Sequence, residues 1–121
     1  MNIEQFREYC LAKEHITEGF PFNETTLVFK VYGKMFALCG IDPFEYVNLK
    51  CEPEKAVKLR EQFSAVRPGY HMSKIHWNSV YFHDDLTDRE VLDLVDHSYE
   101  LVAQSISKKQ QEKGKKENFF S

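Results

Sequence analysis

From Thr26 onward the apolar residues of this chain recur at every second position, in one segment after another. A period of two marks a strand with one face turned toward a core, so a chain that sustains it has to build a sheet and then cover it. In "TLVFKVY" Leu27, Phe29 and Val31 share a face, while Lys30 and Tyr32 point the other way. "GK" makes a tight connection, "MFALCGI" follows, and the two segments read as a hairpin. Beyond the turn at Asp42 and Pro43, "EYVNLKC" puts Val47, Leu49 and Cys51 on one face and Asn48 and Lys50 on the other.

The cover comes from segments whose period is helical. Asn2 with Gln5 forms a capping box, and Ile3, Phe6 and Cys10, with Tyr9 beside them, make a stripe out to about Lys13. "GFPF" (Gly19 to Phe22) then starts a loop. "EPEKAVKLREQF" is a helix with Pro53 in its first turn, where a missing N–H costs little, and Ala56, Leu59, Arg60 and Phe63 form its stripe. Arg67-Pro68-Gly69 forces a loop, and a strand is expected from Lys74 to Phe82. "TDRE" is a second capping box, Thr87 with Glu90. After it Val91, Leu94, Val95, Ser98, Tyr99, Val102 and Ile106 hold a helical stripe for about five turns.

The expected order is therefore α-β-β-β-α-β-α. This is an α+β fold in which an antiparallel sheet carries the N- and C-terminal helices on one face, with one inserted helix. A chain of 121 residues is one domain's worth. We place that domain at residues 1–107 and expect a basic, disordered tail over 108–121, where five lysines meet two glutamates. Three cysteines without C-x-x-C spacing fit reduced thiols, and no apolar run approaches the ~18 residues that span a bilayer. The expectation is a cytoplasmic monomer with no membrane contact.

Charge is unevenly spread. The formal net charge of −3 argues against a strongly basic nucleic-acid binder of the histone type. Yet Thr26 to His83 holds eight basic and five acidic residues, and Asp84 to Glu100 holds seven acids and one arginine. Within the first region, Gln62 to His83 is a 22-residue window with no carboxylate, where the average composition would place about three. Its centre reads "RPGYHMSKIHWNSVYFH".

At this point the chain resembles a known family. "VNLKCEPEKAVKLREQ" followed by "VRPGYHMSKIHWNSVYFHDDLTDREVLDLVDHSYELV" is similar to the MmcQ/YjbR family of small bacterial proteins, and "FKVYGKMFAL" sits where that family has its hairpin. The similarity covers residues 2 to 106. It implies a frataxin-like (CyaY-like) arrangement, two helices on an antiparallel sheet, which has been likened to a double-wing DNA-binding motif. One branch of the family sits beside mitomycin-resistance genes. The resemblance brings no catalytic residues with it.

Two functional expectations follow. The first is DNA binding by a basic sheet face and its loop, with Lys30, Lys34, Lys50, Arg67 and Lys74 as phosphate contacts and Tyr70, His71 and Trp77 as stacking planes. The alternative is a module for an anionic or aromatic small molecule. It would bind in a cleft between the Arg67 to Lys74 loop and the sheet, around Tyr70, His71, His76 and Trp77. Against both stands the plainer account that lysines on a wet sheet face are ordinary and that a lone tryptophan belongs in the core; Trp77 is expected to be buried. His71, His76 and His83 lack ligand spacing, so no metal or other cofactor is expected. Cys39 and Cys51 lie among apolar residues as inert thiols, and Ser98 and Tyr99 lie on a packing stripe, so no enzyme is expected either.

Overall fold

The computed structural model describes residues 1–106. The tail expected at 108–121, with Ser107 before it, lies outside the described residues. Among those described there are three helices and six strands: α1 (Ile3–Leu11), β1 (Ile16–Gly19), β2 (Thr26–Val31), β3 (Lys34–Gly40), β4 (Tyr46–Lys50), α2 (Pro53–Gln62), β5 (Val66–Pro68), β6 (Trp77–Tyr81) and α3 (Asp88–Ser105). The strands form one antiparallel sheet in the order β1-β2-β3-β4-β6-β5. The fold is α+β, as expected from the periodicities.

Both capping boxes are present. The Asn2 carboxamide accepts from the Gln5 backbone N–H at 2.8 Å, and Thr87 Oγ1 accepts from that of Glu90 at 3.1 Å. Two backbone amides at each helix start are thereby satisfied, which stabilises a helix end by about 1 kcal/mol. α1 stops at Leu11, short of Lys13, because His15 takes φ 64° and turns the chain back into β1. The hairpin turn needs positive φ at both central residues, and Tyr32 (50°) and Gly33 (79°) supply it. The His15 ring stacks on Tyr32, with centroids 4.4 Å apart.

Register assigns the faces. Leu27, Phe29, Ala37, Cys39, Val47, Leu49 and Val80 follow one another across the ladders on the face under α1 and α3. A bulge beside Phe29 and Lys30 leaves Phe36 an extra residue of β3. Its ring is fully buried, 5.5 Å from that of Tyr99, and its carbonyl accepts from Ser98 Oγ at 2.6 Å. Phe6 of α1 meets Phe29 and Phe82 edge-on at 5.9 and 6.0 Å. These rings close the core.

Two strands depart from the expected order. β1 and β5 are the edge strands, four and three residues long, too short to show any period. Only pairing with a neighbour makes them strands. β6 begins at Trp77 and not at Lys74, because Ser73 to His76 are occupied by turns and Trp77 N–H donates back to the Ser73 carbonyl. No described helix is long and apolar enough to cross a membrane.

Candidate functional site

The second face of the sheet differs from the wet surface that alternation implies. Its central row runs Gly19, Val28, Leu38, Asn48, Ser79, Arg67 from edge to edge. The inner four of these are 1%, 6%, 7% and 1% exposed. Two loops cover them: Phe20 to Thr25 on one side and Gly69 to His76 on the other. Between the loops lies a groove of about 600 Å³, floored by Met35, Leu38, Tyr46 and Asn48 and walled by Phe22, Tyr70, His71 and Met72.

The second loop is tied down by buried polar groups. Ser79 Oγ accepts from the Tyr70 N–H at 2.9 Å, Asn48 Nδ2 donates to the Tyr70 carbonyl at 3.1 Å, and Ser79 also donates to Asn48 Oδ1. Each polar group in this closed set finds a partner, so the pair tolerates burial and fixes the backbone of Tyr70 over the sheet. Arg60 of α2 holds the other end of the loop. Its Nε donates to Asn78 Oδ1 at 2.7 Å, and its Nη2 donates to the carbonyls of Lys74 and Trp77. Gly69 is required where the loop leaves β5, since a Cβ there would meet Trp77 Cβ at 2.8 Å.

An aromatic row leads into the groove. Arg67 stacks its guanidinium 4.1 Å from the Tyr81 ring centre. Tyr81 lies 4.9 Å from Tyr46, Tyr46 meets Tyr70 edge-on at 6.4 Å, and Tyr70 contacts His71 at 4.0 Å. Tyr70 stays 57% exposed in spite of these contacts, and Phe22 opposite is 62% exposed. The Tyr46 phenol is held above its usual range by burial first, and then by the neighbouring Tyr81, Tyr70 and Glu45. Asp42 and Glu45 line the rim.

The residues expected to form one site fall into separate places. Tyr70 and His71 line the groove, the latter at φ 58°, whereas His76 is exposed outside it. Trp77 is a correction: it is half-buried, not in the core, because the pairing of Leu49 with Asn78 gives the core-facing position to Asn78. Trp77 sits on the outer face opposite Lys50. Lys30, Lys34 and Lys50 lie toward the Tyr32–Gly33 end of the sheet. One strand separates Lys30 from Lys50, a spacing of roughly 10 Å. Lys74 Nζ donates to the Gly69 carbonyl at 2.9 Å, and Arg67 is stacked at the far edge. None of the five forms an ion pair with a carboxylate among the described residues.

Sequence reading missed Phe22, Met35, Leu38 and Tyr46 as groove residues. The signal lay in Val28 and Leu38, apolar residues on the face that alternation assigns to water. Apolar residues there require a cover. The three cysteines are free and buried, and burial raises the pKa of each thiol, that of Cys39 to about 12. No group of three or more His, Cys, Asp or Glu among the described residues is placed to hold a metal.

Comparison with known proteins gives a uniform result. A family model described as YjbR matches residues 11–101. The Escherichia coli O157:H7 protein YbdF is 34% identical over 111 residues, 91% of this chain and 91% of that protein. The protein YjbR of Escherichia coli K12 is 36% identical over 101 residues, 83% of this chain and 86% of its own. Among solved structures, Deinococcus radiodurans DR2400, with the family-model domain DUF419, aligns with a TM-score of 0.84 at 32% identity, covering 93% of this chain and 86% of that one. A Pseudomonas syringae protein aligns at 0.70 and 28%, over 84% and 99%.

Proposed function

This chain belongs to the YjbR family, and from that premise we propose that it is a binding module whose outer-face groove takes a small aromatic molecule. One observation carries the reading: the two loops that cover this face of the sheet leave a groove between them over Met35, Leu38 and Tyr46, and one of the loops is fixed by its own buried hydrogen-bond set. A groove of about 600 Å³ lies within the ~300–1,000 Å³ range of small-molecule sites, and its mixture of apolar floor and few polar groups is of the same kind. Exposed rings at Phe22 and Tyr70 face water at a cost that a planar ligand removes.

A thermal-shift titration with 2-naphthol tests it. Binding should raise Tm in proportion to log concentration above Kd, and Leu38→Trp, which fills the floor, should erase the rise. No shift at millimolar 2-naphthol, or a shift unchanged in Leu38→Trp, overturns the reading.

The three lysines near the hairpin turn support a second reading, contact with a nucleic-acid backbone. They carry no carboxylate partner among the described residues and share one end of the sheet. Neutralising three phosphates gives log K a slope against log[salt] of about −3, and Lys30→Glu with Lys50→Glu should remove binding to a duplex. Duplex affinity indifferent to those replacements sinks this reading and leaves the groove untouched.

A further inference from the structure

We infer that the groove discriminates by charge and prefers a planar aromatic cation to the corresponding anion. This deepens the small-molecule reading and rests on it. Asp42 and Glu45 line the groove, and His71 is the one residue with a basic side chain among the described residues that line it. Neither carboxylate has a salt-bridge or side-chain hydrogen-bond partner among the described residues. Glu45 adjoins Tyr46 in the chain and lines the groove with it, so an acid and one ring of the floor share the same wall of the groove.

The protein already uses this chemistry on itself. At the far end of the aromatic row Arg67 sits 4.1 Å over Tyr81, within the ~6 Å reach at which a ring face attracts a cation. At the near end the row passes through Tyr46 and Tyr70 to His71, and its surroundings open into the groove and hold two acids and this one imidazole in place of a guanidinium. A ligand with a flat ring and an ammonium or guanidinium-like group would repeat at the open end what Arg67 does at the closed one. An anion there would meet two carboxylates and no lysine or arginine among the lining residues. The lysines expected to draw in an anion lie outside the groove.

Three naphthyl compounds separate ring from charge: 2-naphthylmethylamine, 2-naphthol and 2-naphthoate. Their affinities for the full chain are measured by calorimetry at low salt. The amine should bind about tenfold tighter than the carboxylate, as two partly solvated charges allow, and the gap should narrow as salt is added. Asp42→Asn with Glu45→Gln should bring amine and carboxylate toward equal affinity, each taken as a ratio to 2-naphthol in the same variant. Naphthoate binding as well as the amine, or a gap that survives the double substitution, overturns the inference alone, since the groove would still be a ligand site. If none of the three binds, the small-molecule reading falls and this inference with it.

Discussion

The two faces of the sheet are built from the same strands and end up chemically different. Toward α1 and α3, Phe29, Leu49, Val47 and Val80 meet helix side chains, and the core closes with Phe6, Phe29, Phe36 and Val95 fully buried. Toward the loops, Val28, Leu38, Asn48 and Ser79 are also buried, but what covers them is irregular backbone held by a few hydrogen bonds. Helices bring continuous stripes of side chains and leave a void of only about 10 Å³ beside Leu49. Loops bring single residues and leave a groove. A sheet face covered in the second way is where a small domain of this kind can take a ligand without disturbing its core.

A matched pair of truncations tests that contrast most severely. Leu49→Ala on the helix side should cost about 4 kcal/mol, and Leu38→Ala on the loop side about 2–3 kcal/mol, because the groove beside Leu38 already supplies the space that truncation would create. Urea unfolding of both variants decides it, and equal costs would mean that the loops pack as tightly as the helices. The next effect concerns the tether. Asn48→Ala leaves Ser79 and the Tyr70 carbonyl short of a partner, with an expected loss of about 1–3 kcal/mol. Amide exchange should rise over Gly69–Lys74 and not over β3. Exchange unchanged in that loop would show that the buried pair does not hold it.

The smallest effect lies at the sheet's edge. The Asp85 carboxylate accepts from the N–H groups of Ser64 and Ala65 at 2.9 and 3.0 Å, just before β5 begins. These bonds hold its pKa below the ordinary value of 3.8. A carboxyl group depressed by folding contributes stability above its unfolded pKa and loses it as the pH falls through the folded value. Thermal stability should therefore decline below pH 3.8 with a component that Asp85→Asn removes, measured as a flatter acid limb in Tm against pH. An identical limb in the variant would assign the acid loss to other carboxylates.

How much of this was legible depended on the length of each pattern. The stripe from Val91 to Ile106 spans five turns and the two capping boxes are local, so α1 and α3 could be read directly from the chain. β2, β3 and β4 announced themselves through alternation. β1 and β5 did not, because "ITEG" and "VRP" contain no period and become strands only by pairing. For the site, Tyr70 and His71 were visible in the acid-free stretch, whereas His76 and Trp77 lie outside the groove because the turns at Ser73 to His76 precede the strand. The face of Trp77 turned on one residue of register.

The sequence by itself determined the class of fold, the helix starts and which residues of β2 and β4 face the helices, since each follows from contacts a few residues apart or from a repeating pattern. Tertiary structure alone decided that the opposite face is roofed, that the roof leaves a groove, and that acids instead of lysines stand at its rim. Those outcomes depend on where loops from distant parts of the chain come to rest. The hydrogen bonds that settle it join residues 22 and 9 positions apart, Asn48 and Ser79 to Tyr70, a pairing that no local pattern encodes.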